Sequence, residues 1–208
     1  MIYLVDFEDS FSYNLLQLLE SIGDTKIISF KDSASLLNLI KDRDVLVLGP
    51  GPGHVDEYIH IVSPLIDLVK SKLIFIMGVC LGHQLILSHL YKCQILNCRQ
   101  PMHGQSVSLV PSKELNGMLK IDYSSRVQRY NSWFVCTNNL AKNFCIMDEY
   151  NELALFSDCK NILTMQFHPE SVGTSFRDQY FQALHSFLRY SSQDECNHAL
   201  RNIRQTNT

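Results

Sequence analysis

Through the first half of the chain, short unbroken apolar runs alternate with stretches in which apolar residues recur every three or four positions. Ile2–Val5 and Val45–Leu48 are apolar on both faces and short, the pattern of strands covered on both sides. Lys26–Phe30 and Leu73–Met77 predict two more strands. Between them Ser12–Ile22 carries Leu15, Leu16, Leu18, Leu19 and Ile22 at helical spacing. Ala34–Ile40 predicts a short helix, the region around Ile59–Val69 a longer one, and Leu85–Leu90 a helix directly after the fourth strand. Strands separated by helices imply right-handed crossovers, hence a mostly parallel sheet between two helical layers, an α/β three-layer sandwich. Ligands of such sheets bind at the carboxyl ends of the strands.

From about residue 92 the pattern changes to shorter pieces. Gln105–Val110, Val127–Arg129, Trp133–Thr137, Leu153–Ser157 and Ile162–Phe167 read as strands, a smaller β region in the second half. A last helix is predicted over Ser175–Tyr190, with Phe176, Tyr180, Phe181, Leu184, Phe187 and Leu188 on one broad face. Residues 191–208 are polar and weakly periodic, and read as a tail or a short surface helix. No repeat, linker or low-complexity stretch divides the chain, so residues 1–190 are expected to form one domain.

Composition narrows the class. At 208 residues, 46% hydrophobic and 19% charged, the chain is long enough for one sizeable core. A net charge of −3 without a basic run argues against nucleic acid. The longest apolar run is too short to span a bilayer, and Met1–Asp6 lacks the form of a signal peptide, so no membrane association and a cytoplasmic location are expected. The seven cysteines include no Cys-x-x-Cys pair and no zinc-like spacing with histidine, which fits reduced thiols and no metal or cofactor.

Against that background one segment stands apart. Gly78-Val79-Cys80-Leu81-Gly82-His83-Gln84 puts a cysteine between two glycines, at a strand-to-helix junction. Strand, Gly-x-Cys-x-Gly, helix is the thiol form of a nucleophile elbow, in which glycines are expected to permit the sharp turn and leave room for substrate. The free N–H groups and positive dipole end of the following helix favour a thiolate. Far downstream, Met165-Gln166-Phe167-His168-Pro169-Glu170-Ser171 places a histidine and a carboxylate two apart in an extended segment, so both side chains point the same way. Cys80, His168 and Glu170 therefore form a candidate triad: nucleophile, base and orienting carboxylate. His83, in the first turn of the elbow helix, is expected to pack or cap instead. Gly49-Pro50-Gly51-Pro52-Gly53 also follows a strand and lacks the Gly-Lys-Ser/Thr ending of a phosphate loop. The backbone of Gly51, Pro52 and Gly53 is read as one wall of the substrate site and a source of an oxyanion donor, with the N–H of Leu81 as the second donor.

These motifs, in this order, resemble the class I, triad-type glutamine amidotransferases over about residues 1–190. Asp9-Ser10-Phe11-Ser12-Tyr13-Asn14-Leu15, His103-Gly104-Gln105 and Arg129-Tyr130-Asn131-Ser132-Trp133 are more narrowly similar to anthranilate synthase component II and the glutaminase component of aminodeoxychorismate synthase. The resemblance implies a flavodoxin-like fold and hydrolysis of L-glutamine to glutamate and ammonia through a Cys80 thioester. It implies that Gln84, with the backbone at Ser132 and Trp133, holds the amino-acid end of glutamine. It also implies a partner, the chorismate-binding subunit of a synthase in tryptophan or folate supply. The subfamily usually reads Arg-Tyr-His-Ser-Leu where this chain has Asn131 and Trp133, and a lysine where it has Gln105; both changes are expected to bear on partner docking or activation before the chemistry. Two other readings remain: a glutaminase serving another acceptor, of carbamoyl phosphate or GMP type, or a catalytically silent regulatory subunit.

Overall fold

A computed structural model describes residues 1–112, 115, 119 and 121–189. In it the apolar runs pair as expected. Eleven strands are described: β1 (Ile2–Asp6), β2 (Thr25–Ser29), β3 (Val45–Leu48), β4 (Phe75–Val79), β5 (Ile95–Asn97), β6 (Gln105–Ser108), β7 (Arg126–Arg129), β8 (Trp133–Val135), β9 (Cys145–Met147), β10 (Leu153–Ser157) and β11 (Ile162–Met165). Seven of them form one sheet in the order β2-β1-β3-β4-β11-β10-β9. The first five are parallel, and β10 and β9 continue antiparallel at the far edge. The helices are α1 (Ser12–Glu20), α2 (Leu36–Leu39), α3 (Val55–Ile66), α4 (Leu68–Ser71), α5 (Leu81–Tyr91) and α6 (Gln182–Arg189).

The side-chain alternation of the strands divides the core in two. Ile2, Leu4, Val45, Val47, Phe75, Met77, Leu163 and Met165 face a layer made by Leu15 and Leu19 of α1 and Leu184 and Phe187 of α6. Tyr3, Val5, Leu46, Leu48 and Ile76 face the opposite way, onto Val62, Leu65 and Ile66 of α3 and Leu81, Leu85 and Ile86 of α5. Period two sends neighbouring residues to opposite layers, and for that reason the strands had to be apolar throughout. The arrangement is the three-layer sandwich expected, and the parallel order is that of flavodoxin-like sheets. Two small antiparallel pairs, β5 with β8 and β6 with β7, form the separate β region, while Leu153–Ser157 and Ile162–Phe167, grouped with it from the sequence, instead join the main sheet as β10 and β11.

Several boundaries differ from expectation. The fourth strand runs two residues later than Leu73–Met77, because Gly78 still pairs with Leu48 and Val79 with Met165. Helix α3 begins at Val55, where the His54 N–H donates to Glu57 Oε1 at 2.7 Å and ties off its first turn. The last helix starts only at Gln182: Phe176 is left-handed at φ 49° and 62% exposed, and a 3₁₀ turn over Arg177–Phe181 precedes α6. Phe176 therefore does not share the buried face with Tyr180, Phe181, Leu184 and Phe187. The three-residue strands β5 and β9 escaped the sequence pattern, which carries little period-two signal over so few positions. Residues 191–208, and with them the expected tail, lie outside the described residues.

Candidate active site

The elbow is built where β4 meets α5. Cys80 sits at φ 53°, ψ −103°, a conformation that costs a non-glycine residue roughly 1–3 kcal/mol and is typical of functional sites. The strain falls on the cysteine and not on its glycines, since neither Gly78 nor Gly82 has a positive φ. This corrects the expectation that the glycines make the turn. They make the packing instead. A Cβ on Gly82 would lie 2.0 Å from the Leu48 carbonyl oxygen, and one on Gly78 2.6 Å from the Gly82 backbone. Helix and strand can approach this closely only without side chains there. The Gly82 N–H donates to the Gly49 carbonyl at 3.2 Å and that of Cys80 to Met165 at 2.8 Å, fixing the turn on both sides. Leu81 heads α5, where first-turn N–H groups have no intrahelical acceptor.

Sheet register brings His168 to the elbow across 88 positions of sequence. Met165 stands opposite Val79 in the parallel pair β11–β4, so the two strands end level and their following residues share one edge. The His168 N–H donates to the Gln128 carbonyl at 2.9 Å, and its carbonyl accepts from Thr174 Oγ1 at 2.7 Å. Its ring is 4.8 Å from that of Phe11 and 5.1 Å from that of Tyr130, centroid to centroid. Nδ1 lies 2.6 Å from Glu170 Oε1, and both side chains are almost fully buried. Nε2 has no hydrogen-bond partner, nor has Glu170 Oε2, while the Cys80 sulfur lies close enough to interact with the imidazole. Burial by itself lowers the His168 pKa. The attraction of Cys80 and the hydrogen bond and charge of Glu170 outweigh it and raise the pKa to about 10. The fold thus brings a thiol, an imidazole and a carboxylate together.

A cavity of about 200 Å³ opens in front of Cys80, lined by Gly51, Pro52, Gly53, Cys80, Leu81, Gln84, Tyr130, Asn131, Ser132 and Trp133. The seven residues expected to bind substrate all lie on it. A Cβ on Gly51 would lie 2.5 Å from the Leu81 side chain, and Gly53 holds φ 79°, so both positions of that loop suit glycine.

With that geometry in view, comparison with known proteins decides the family. The model of the class-I glutamine amidotransferases matches residues 3–186. The chain belongs to this family. Anthranilate synthase component 2 of Saccharolobus solfataricus is 30% identical over 192 residues, covering 89% of this chain and 96% of the relative. The aminodeoxychorismate/anthranilate synthase component 2 of Bacillus subtilis is 31% identical, covering 85% of this chain and 91% of the relative. Among solved structures, a protein of Thermoplasma acidophilum provisionally assigned to GMP synthase superimposes with a TM-score of 0.73 at 21% identity, covering 98% of this chain and 96% of that one, a likeness of fold alone.

In this amidotransferase the wall opposite the elbow is held by polar contacts. Arg129, fully buried, donates from Nη1 to Asp148, from Nη2 to Glu152 at 2.6 Å and from Nε to Asn131 Oδ1 at 3.1 Å. Asn131 Nδ2 donates to the Trp133 carbonyl at 2.9 Å, which also accepts from Gln84 Nε2 at 3.0 Å. With two donors on it, that carbonyl positions Gln84 and has no lone pair left for a ligand. Asn131 therefore sits inside the wall of the site, 5% exposed. Sequence reading also passed over Phe11, Tyr130 and Gln166, although all three stand inside motifs it quoted; nothing in residue spacing shows which neighbours of a motif face inward.

Cys93, Cys98 and Cys145 are pushed up to about 11, chiefly by burial, and stay protonated. His83 is wholly buried with Nδ1 2.8 Å from Thr164 Oγ1, the packing role expected. Burial and then the Arg129 charge lower its pKa to about 3, so it is neutral at working pH. Among the described residues no three His, Cys, Asp or Glu side chains gather as a metal site, and no helix is long and apolar enough to cross a membrane.

Proposed function

We propose that this chain is the glutaminase subunit of a chorismate-using synthase, and that residues 1–190 form its single, cytoplasmic amidotransferase domain. The observation that carries the reading is the meeting of a strained Cys80 with the buried His168–Glu170 pair, 2.6 Å apart, at the mouth of one small cavity. The Cys80 thiolate attacks the side-chain amide carbon of glutamine. The carbonyl becomes an oxyanion held by N–H groups at Leu81 and in the Gly51–Gly53 loop. Protonated His168, whose raised pKa keeps the proton available, passes it to the amide nitrogen. The C–N bond breaks and ammonia leaves, with a γ-glutamyl thioester on Cys80. His168, now neutral, takes a proton from water, which attacks the thioester through a second oxyanion. The C–S bond breaks and glutamate leaves, restoring thiolate and imidazolium.

Gln84 is well disposed to hold the amino-acid end of glutamine. Its Nε2 is already shared between two acceptors, so Oε1 is the atom left to receive the substrate ammonium. Backbone N–H groups at Ser132 and Trp133 complete that end. Ammonia released into water at neutral pH is mostly protonated and loses the lone pair needed for attack, so a synthase docked over the cavity is the natural receiver. The names of the relatives at about 30% identity support a chorismate acceptor over carbamoyl phosphate or GMP synthesis.

The test is glutamate release by the purified chain, alone and with a chorismate-binding synthase. We expect Cys80→Ser to abolish glutamine-dependent synthesis by the complex and spare ammonia-dependent synthesis. Loss of both activities in a folded Cys80→Ser complex would contradict the glutaminase role. Turnover without stimulation by the synthase would point to another acceptor, and no turnover with wild-type protein to a silent subunit.

A further inference from the structure

Behind the nucleophile lies a second carboxamide for which the reaction scheme has no use so far. Gln166 follows β11 directly, is fully buried, and has its N–H anchored on the Ala154 carbonyl at 2.9 Å. Its side chain spans two site residues: Oε1 accepts from Gln84 Nε2 at 3.0 Å, and Nε2 points at Cys80 Sγ, 3.7 Å away. We propose that Gln166 is a functional partner of the nucleophile, its N–H holding the Cys80 sulfur as thiolate and tying it through Gln84 to the grip on the amino-acid end of glutamine. The proposal rests on Cys80 being the nucleophile.

The direction of the hydrogen bonds is what gives the contact its meaning. A carboxamide can present either oxygen or NH2 to a neighbour, so its polarity must come from a group that cannot turn round. Here that group is the Trp133 carbonyl, which only accepts. It requires the Gln84 NH2 end, the same NH2 group reaches Gln166, and Gln166 must meet it with oxygen. The NH2 of Gln166 is then the end left for sulfur. A neutral thiol is a weak acceptor, whereas a thiolate is a charged one whose hydrogen bonds are roughly twice as strong. A donor fixed beside the sulfur therefore favours the ionised form.

The same chain gives the two ends of the site a means to influence one another. An ammonium bound at Gln84 Oε1 draws electron density from that amide and makes its N–H a stronger donor to Gln166. Gln166 in turn becomes a stronger donor to sulfur, since hydrogen bonds in series polarise one another. The substrate cation at one end thus favours the anion at the other, across two buried amides and without movement of the backbone.

The measurement is the pH profile of Cys80 alkylation by iodoacetamide between about pH 5 and 9, followed on the Cys80 peptide by mass spectrometry, because thiolate is the reactive form. Wild type, Gln166→Leu and Gln166→Glu are compared, each checked by thermal melting, with glutamine kcat and KM measured beside a synthase. We expect the midpoint of the profile to move up by about one pH unit in Gln166→Leu, the size of one lost hydrogen bond to a charged group. Gln166→Glu keeps the shape and the acceptor for Gln84 but turns an anion toward the sulfur, so its midpoint should move further. Both should lower kcat more than they raise KM; loss of a merely structural contact would leave the alkylation profile in place. If Gln166→Leu fails to fold, Gln166→Glu alone decides. An unshifted profile in a folded variant overturns the proposal while leaving Cys80 as nucleophile. Wild-type Cys80 that alkylates no faster than Cys93 at neutral pH would remove the nucleophile itself, and the proposal with it.

Discussion

The two walls of the cavity are made by different physics. The elbow wall, Gly49–Gly53 with Gly78–Gln84, is backbone pressed against backbone: its precision comes from missing side chains at Gly51, Gly78 and Gly82 and from apolar layers on both faces of the sheet. The facing wall, Tyr130–Trp133, links β7 to β8 and so joins two-stranded pairs that lie outside the main sheet. It is held by a buried cation between two carboxylates, with Asn131 as the tie to the Trp133 carbonyl. Apolar packing tolerates adjustment in small steps, whereas a buried charge network is satisfied as a whole or leaves a charge stranded. In the proposed reaction the elbow wall aims the nucleophile, and the facing wall, through the Trp133 carbonyl that positions Gln84, sets the grip on the far end of the substrate, so damage to the two should be readable separately.

The strongest challenge to that division is Arg129→Leu. It strands Asp148 and Glu152 and should destabilise the protein by about 3–5 kcal/mol, seen in denaturant unfolding. Whatever folds should bind glutamine poorly. A loss below about 1 kcal/mol would mean that the ion cluster does not hold the wall. Next comes Gly82→Ala, whose methyl group must push α5 off the Leu48 carbonyl; about 3 kcal/mol of stability is expected to go, with kcat falling more than KM rises because Cys80 is displaced. A Tm and kcat like the wild type's would return the glycine to being a mere turn residue.

A third test uses the buried imidazoles, which respond to pH in opposite senses. His83 is held neutral with its pKa lowered to about 3, so below the unfolded value of 6.5 the unfolded chain binds a proton that the fold refuses. Stability should fall as pH drops from 6.5 toward 3. His168 has its pKa raised to about 10, so its charged form stabilises the fold fully below pH 6.5, and that contribution is lost as pH rises toward 10. Replacing His83 by Asn should remove roughly 2 kcal/mol of the acid loss by pH 4.5, and urea midpoints at pH 7 and 4.5 measure it. An unchanged acid slope would mean that His83 is not the group responsible. The gentlest change is Asn131→Ala, which leaves Gln84 as the one side chain on the Trp133 carbonyl. It also takes the Asn131 acceptor from Arg129 Nε while both carboxylate partners of that cation stay in place, so an increase in KM of about tenfold at nearly constant kcat is expected, the size of the lost tie to the carbonyl. A kcat effect instead would show that the two walls are coupled more tightly than their construction suggests.

How much of this was legible in the chain follows from the same contrast. Val45–Leu48 and Ile2–Val5 announce strands covered on both sides because period two exposes every residue to a core, and the match of β3 to expectation is complete. Cys80 was recognisable because a strand-to-helix junction with small flanking residues is a local pattern. The function of those glycines was misread, since a clash with Leu48 is a contact between positions 34 residues apart. The bracing role of Asn131 was hidden for the same reason: its partners Arg129 and Trp133 are near in sequence, but the carboxylates that make the network necessary lie on Asp148 and Glu152. Phe176 shows the limit of periodicity, which fitted a longer helix than the left-handed residue allows.

The sequence alone determined the class of fold and the candidate nucleophile, because each rests on a repeat or spacing of a few residues; it also named His168 and Glu170 as partners, but through an extended segment where the structure has a turn, closed by the Ser171 N–H on the His168 carbonyl at 3.2 Å. The tertiary structure decided what those residues meet: that β11 ends level with β4 and so delivers His168 to Cys80, that Arg129 braces one wall, and that Gln166 stands between Gln84 and the sulfur. Register and burial are properties of strands brought together from distant parts of the chain, and they come into being only when the core closes around them.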